Sequence, residues 1–370
     1  MQLKTLLPLV ILCATACQGV PAVLLDNESD MNKEALQESK KLAAGSTNVI
    51  EERREFIEKL RHAGKEKRPL YEEYFDVIGA DGILDGIEQV WPRCHEEAHD
   101  AGRAIFARFR DIGASVRICA DRCATGCMHG ALMEAFGVTA DDARADGATH
   151  RVAITPEMNE ACYRNAAILS LSRPGNCAHG IGHALMIQAH YRIPEALTAC
   201  TGFPEPAMRY YCVTGAYMEY VTEYDQEDAK SKSLQYPCDT YDYPAACARN
   251  KMYYVTKRHY EAHGRTEELV QECSRLMGKF RLGCFHGLGN AHMWLIASGQ
   301  INIKSVCGHG TDDERFMCLE GAMERMGQHY ETRALAVCEE LQGQDRQTCL
   351  AAVKHKMYDL TKDFTLYLSE

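Results

Sequence analysis

Several familiar protein classes are excluded by what this chain lacks. No stretch of its 370 residues sustains the alternation of β-branched and polar residues that a half-buried strand requires. Apart from Leu6 to Leu12, itself too short to cross a bilayer, no apolar run approaches a membrane span. Lysine and arginine total 41 against 52 acidic residues, a net charge of −11, and no basic cluster is sustained. That balance, with only 2 tryptophans, argues against a nucleic-acid partner. There is no phosphate-binding glycine loop, since Gly180-Ile181-Gly182 follows no strand. Cys119, Cys123 and Cys127 do not have the spacing of a haem-attachment motif, and Glu-x-x-His occurs only at Glu96 to His99, where a di-iron bundle needs two.

What the chain does have is cysteine, 18 in all. One pattern recurs seven times: a cysteine closes a helix-like run, and a second follows roughly ten residues later, often with a glycine three places on. The second cysteines are Cys127, Cys177, Cys212, Cys247, Cys284, Cys318 and Cys349. After a longer first interval their spacing settles near about 35 residues, the range of helical-hairpin arrays. Pro156, Pro174, Pro194, Pro204, Pro206, Pro237 and Pro244 fall between units, where helices are expected to stop. The fold class expected is all-α: disulfide-stapled helical-hairpin repeats forming a solenoid or a closed α/α toroid.

The first 22 residues read as an export signal, with Lys4 followed by an apolar core and small residues. Val20-Pro21-Ala22 fits an ordinary cleavage site, and Ala14-Thr15-Ala16-Cys17 a lipoprotein site with a lipid anchor at Cys17. Residues 23–48 then form a polar linker and 49–370 a single helical-repeat domain, placed in the periplasm or outside the cell, or anchored at the outer membrane. With Cys13 and Cys17 set aside the remaining cysteines are even in number, which in an exported chain means disulfides before thiolate–metal sites. Spacing pairs Cys162–Cys177, Cys200–Cys212, Cys238–Cys247, Cys273–Cys284, Cys307–Cys318 and Cys338–Cys349. Cys94, Cys119, Cys123 and Cys127 remain, and spacing leaves their connectivity open, with Cys94–Cys123 and Cys119–Cys127 the preferred arrangement. A store for soft ions such as Cu(I) would need thiols facing one cavity rather than paired at hairpin ends.

Histidine follows the same register. Two places after the second cysteine stand His129, His179, Thr214, His286 and Glu320, and four residues further on His183, Asn290 and Glu324. Residues four apart share a helix face, so His179 pairs with His183 and Glu320 with Glu324. His95 and His99 have the same separation after Cys94. A curved array would bring these positions onto one concave surface. The expected centre is a divalent transition metal (Zn, Cu or Fe) on His95, His99, His129, His179, His183 and His286, with Glu320 and Glu324 nearby. Glu96 or Glu134 would move protons if the metal activates water or oxygen. Without a metal, the concave face would dock a protein or peptide and the histidines would be polar core.

The segment His95-Glu96-Glu97-Ala98-His99-Asp100-Ala101-Gly102 resembles the H-E-x-x-H-x-x-G of zincin metallopeptidases. That resemblance implies His95 and His99 as zinc ligands and Glu96 as the base that activates water. It spans eight residues, and Ile105 stands where the extended metzincin motif has its third histidine. Cys177-Ala178-His179-Gly180-Ile181-Gly182-His183 repeats the histidine pair without the glutamate, so the repeat itself accounts for both pairs.

Overall fold

The computed structural model describes residues 47–64, 66–91, 93–137, 152–164, 174–224, 234–263, 266–354, 358–359 and 365–366. The expected export signal and almost all of the polar linker lie outside the described residues. Two helices open the described chain, α1 (Thr47–His62) and α2 (Arg68–Val90), with Phe56 of α1 against the rings of Tyr71 and Tyr74 in α2. α2 is broken at Gly79, whose φ of 68° is left-handed, so it consists of two helical segments that meet at a kink. Then follow α3 (Glu97–Phe109), α4 (Ile112–Cys119) and α5 (Gly126–Phe136), and after them α6 (Pro156–Arg164) and α7 (Pro174–Gln188). α8 (Ile193–Cys200) leads to α9 (Pro206–Glu219), which runs on through one π-helical turn to Tyr224. α10 (Pro244–His263), α11 (Thr266–Arg275), α12 (Gly278–Ala297) and α13 (Ile303–Cys307) come next. The series ends with α14 (Asp312–His329), α15 (Glu331–Cys338) and α16 (Gly343–Lys354). A two-residue antiparallel pair, Tyr358–Asp359 with Thr365–Leu366, is the only strand structure among the described residues.

The six cysteine pairs read from spacing are present as disulfides, and the remaining four cysteines pair as Cys94–Cys123 and Cys119–Cys127, the preferred of the open arrangements. Most tie a short helix to the start of the long helix that follows it, as α8 to α9 through Cys200–Cys212. Each such short loop stabilises the fold by roughly 2–3 kcal/mol through restriction of the unfolded chain. The prolines act otherwise than expected. Pro69, Pro194 and Pro206 stand in the first turns of α2, α8 and α9, and α6, α7 and α10 begin at Pro156, Pro174 and Pro244. They start helices rather than end them, because a first-turn amide has no intrahelical acceptor to lose.

Long helices pack on one another in the order α3, α5, α7, α9, α10, α12, α14, α16. Three of these neighbouring pairs share one device. In α3 and α5, Gly102 faces the backbone of Cys127 and Gly130 the backbone of His99. In α7 and α9, Gly182 faces Cys212 and Gly215 faces His179. In α12 and α14, Gly289 faces Cys318 and Gly321 faces His286. A Cβ at any of the six would come within 3.0 Å of facing backbone, so only glycine lets the helices lie this close. This contact aligns His99 with His179 and His286, each three residues before its glycine. The buried apolar residues form one cluster running from Phe56 to Val353. No helix among the described residues is long and apolar enough to cross a membrane.

Candidate metal centre

Five histidines from three helical segments meet inside this packing. His95 sits in the turn before α3, just after the Cys94 staple, and His99 in the first turn of α3. His129 comes from α5, and His179 with His183 from α7. Ring centroids are 5.0 Å apart for His95 and His99, 5.1 Å for His95 and His129, and 4.9 Å for His129 and His179. His183 lies 5.0 Å from His179, 5.4 Å from His99 and 5.5 Å from His129. Two triads result, His95–His99–His129 and His129–His179–His183, each with ligand atoms within 4.8 Å of one another. His99 is half-buried and the other four are buried.

Hydrogen bonds to the protein set the tautomer of four of the rings. His95 Nδ1 donates to the Ala124 carbonyl at 3.0 Å. The Thr125 hydroxyl gives its proton to that same carbonyl and so accepts from His129 Nε2 at 3.2 Å. Thr214 gives its hydroxyl proton to the Tyr211 carbonyl and therefore accepts from His179 Nδ1 at 2.8 Å. His183 Nδ1 donates to the Glu219 carboxylate at 2.8 Å. In each ring the other nitrogen keeps its lone pair. Those atoms, His95 Nε2, His129 Nδ1, His179 Nε2 and His183 Nε2, together with His99 Nε2, are buried without a hydrogen-bond partner. A buried polar atom left without a partner costs about 1–3 kcal/mol. Five in one place, four of them with lone pairs aimed by fixed tautomers, fit metal ligation.

Electrostatics point the same way. Burial holds the imidazoles of His95, His99, His129 and His179 well below the ordinary histidine range. The neighbouring rings and the Arg325 guanidinium push each of them further down. These rings are therefore neutral at physiological pH, the form that binds metal.

Other expected site residues lie elsewhere. His286 belongs to a second buried group with Glu320 and Glu324. Its Nε2 bonds to Glu320, while Glu324 is paired with Arg249 at 2.6 Å. Burial and Arg249 lower the His286 pKa, and Glu320 opposes them. Arg249 also lowers that of His179, so the two groups share one cation. Both carboxylate oxygens of Glu134 are taken by Arg68, at 3.0 and 3.1 Å. That fork ties α5 to α2. Glu96 stands half-buried on the wall of a cavity that reaches His95. The orienting residues Thr125, Thr214 and Glu219 had only a partial signal: Thr214 and Glu219 lie on the repeat register, and nothing marked Thr125. His292 is also buried, with Nδ1 bonded to the Leu288 carbonyl at 2.9 Å and its pKa lowered to about 4 chiefly by burial.

The cavity measures about 640 Å³. One wall comes from α2 and the turns flanking α3 (Glu88, Arg93, His95, Glu96), the other from α10, α12 and α14 (Tyr253, Trp294, Arg325). No protein-family model matches this chain, and neither does any curated protein or solved structure.

Proposed function

We propose that this chain is an extracytoplasmic metal protein whose stapled helix pairs curl into a closed or nearly closed array around a histidine centre. The disulfides and the lack of a membrane-spanning helix among the described residues are consistent with a periplasmic or extracellular site. Curling is supported by the cavity, where residues from the first and the late helices face one opening. His95, His99, His129, His179 and His183 would hold one divalent transition ion, Zn, Cu or Fe, all of which suit imidazole. His129 belongs to both triads, yet its Nε2 is engaged by Thr125, which leaves one nitrogen for one ion.

The observation that carries this reading is the set of five buried ring nitrogens without a hydrogen-bond partner. A bound ion would supply Lewis acidity towards water or, for copper or iron, a redox couple for oxygen. The cavity gives a small molecule access to His95, and Glu96 on its wall is the residue we assign to moving protons. We assign Glu134 to holding α5 on α2 through Arg68. His286 would serve as a buried polar link with Glu320 rather than as a ligand of this centre. A peptidase of the zincin kind would need a strand to align its substrate, and the described residues offer only the two-residue pair near the C-terminus.

Elemental analysis of protein purified from its native envelope tests the proposal. One equivalent of Zn, Cu or Fe is expected, lost in the His179→Ala/His183→Ala variant while the helical circular dichroism is kept. A fully folded native protein without metal would leave a binding module, its cavity taking a ligand without chemistry.

A further inference from the structure

The cavity beside the histidines has a chemical character of its own. Arg325 lies half-buried on its wall, with its guanidinium 5.7 Å from the centroid of the Tyr253 ring. Among the described residues no carboxylate lies within ion-pair reach of Arg325. Two neighbouring acids are engaged elsewhere, Glu88 with Arg122 at 2.8 Å and Glu324 with Arg249 at 2.6 Å. The imidazoles add no negative charge, and a divalent ion there would add two positive ones. A half-buried cation beside such an ion is costly unless an anion joins them.

The rest of the lining narrows the choice of anion. Trp294 and Tyr330 meet edge to face at 5.7 Å, and Met293 and Tyr253 extend that apolar wall. An inorganic anion would leave it uncovered, whereas a flat apolar body would fill it. The charged side chains of the lining balance, with Arg93, Arg122 and Arg325 against Glu88, Glu96 and Asp121. Such a field favours a single negative charge over a phosphate dianion, which would face Glu96 as well. The volume of about 640 Å³ suits a small organic molecule.

We infer that this cavity binds a carboxylate with a flat apolar body, its head group held by the Arg325 fork on the side facing His95 and its body against Trp294 and Tyr330. Guanidinium and carboxylate match through two parallel hydrogen bonds, which a lysine would not reproduce. That the head group also faces an ion rests on the metal centre proposed above; the Arg325 contact does not.

Trp294 reports directly on the site, and Trp91→Phe removes the chain's other tryptophan from the signal. The full chain, metal as purified, is titrated with 4-phenylbutyrate and separately with 4-phenylbutanamide, its uncharged match. Saturable change in emission is expected for the carboxylate, with the amide at least about tenfold weaker. Arg325→Met should weaken the carboxylate by at least about tenfold and leave the amide unmoved, and Arg325→Lys should recover only part. Equal affinity for amide and carboxylate overturns the inference without recourse to any variant. So does a flat titration, or undiminished binding to a folded Arg325→Met protein. Inorganic phosphate competing as tightly as phenylbutyrate would overturn the apolar-body assignment. Metal content is measured on the same samples. Absence of metal with Arg325-dependent binding retained would sink the metal centre and leave this inference standing, and stoichiometric metal with a flat titration would do the reverse.

Discussion

Replacing Gly215 with alanine separates two opposing effects that the structure lets us weigh. In an open helix the change stabilises by about 1 kcal/mol, because alanine is the better helix former. Here the added Cβ would lie 2.7 Å from the carbonyl carbon of His179 and closer still to its oxygen. Ordinary contact begins at 3.4 Å, so α7 and α9 must part by more than the about 0.7 Å that the carbonyl carbon alone requires, and no rotamer can yield because both partners are backbone. The same movement stretches the bond from His179 to Thr214, now 2.8 Å, to the limit of about 3.5 Å at which it stops counting. Overpacking costs about 1–3 kcal/mol and the lost bond about 1, against the 1 gained, for a net destabilisation of about 1–3 kcal/mol. Urea unfolding of Gly215→Ala beside wild type measures this. Gly64→Ala is the control, since nothing lies within 4 Å of a Cβ there. A Gly215→Ala protein as stable as wild type would show that the close approach of α7 and α9 is not real.

Glu219→Gln removes the charge behind His183 while keeping a similar shape. Loss of such an orienting carboxylate weakens metal binding by about 10–100-fold, which a competing chelator would measure; unchanged affinity would mean that His183 is not a ligand. The metal-free protein should lose stability in acid. With His95, His99, His129 and His179 held well below their ordinary values, the unfolded chain binds more protons than the folded one below about pH 6.5. Stability is therefore full above that pH and falls as pH drops, by at most about 5 kcal/mol per unit for four rings. Urea midpoints between pH 7 and pH 5 check this, and a flat profile would mean that the rings titrate freely.

Six of the disulfides were legible because a hairpin turn brings together cysteines about ten residues apart, whereas spacing left the pairing among Cys94, Cys119, Cys123 and Cys127 open. The meeting of His129 with His179 and His183 followed from a shared register on neighbouring helices. Long-range choices were not legible. Arg68, far away in sequence, holds both oxygens of Glu134, and nothing around Glu134 in the sequence announces that contact. His286 shares the register of His179, but its neighbour at the equivalent place is Glu320 where His179 meets Thr214, so it falls in a separate group with Glu320 and Glu324. The carbonyl that orients His95 belongs to Ala124, in a run where Cys123, Ala124 and Thr125 all have positive φ, and no side-chain pattern announces it.

That left-handed run has a consequence for how the protein meets reductants. Cys94 precedes His95, Cys123 precedes Ala124, and both cysteines line the cavity. They are 4 % and 8 % exposed, whereas every other bonded cysteine is at 2 % or less. A small thiol entering from solvent would meet this cross-link first. Its cleavage would release the tether between an imidazole and the carbonyl that aims it, while seven deeper bridges kept the helices in place.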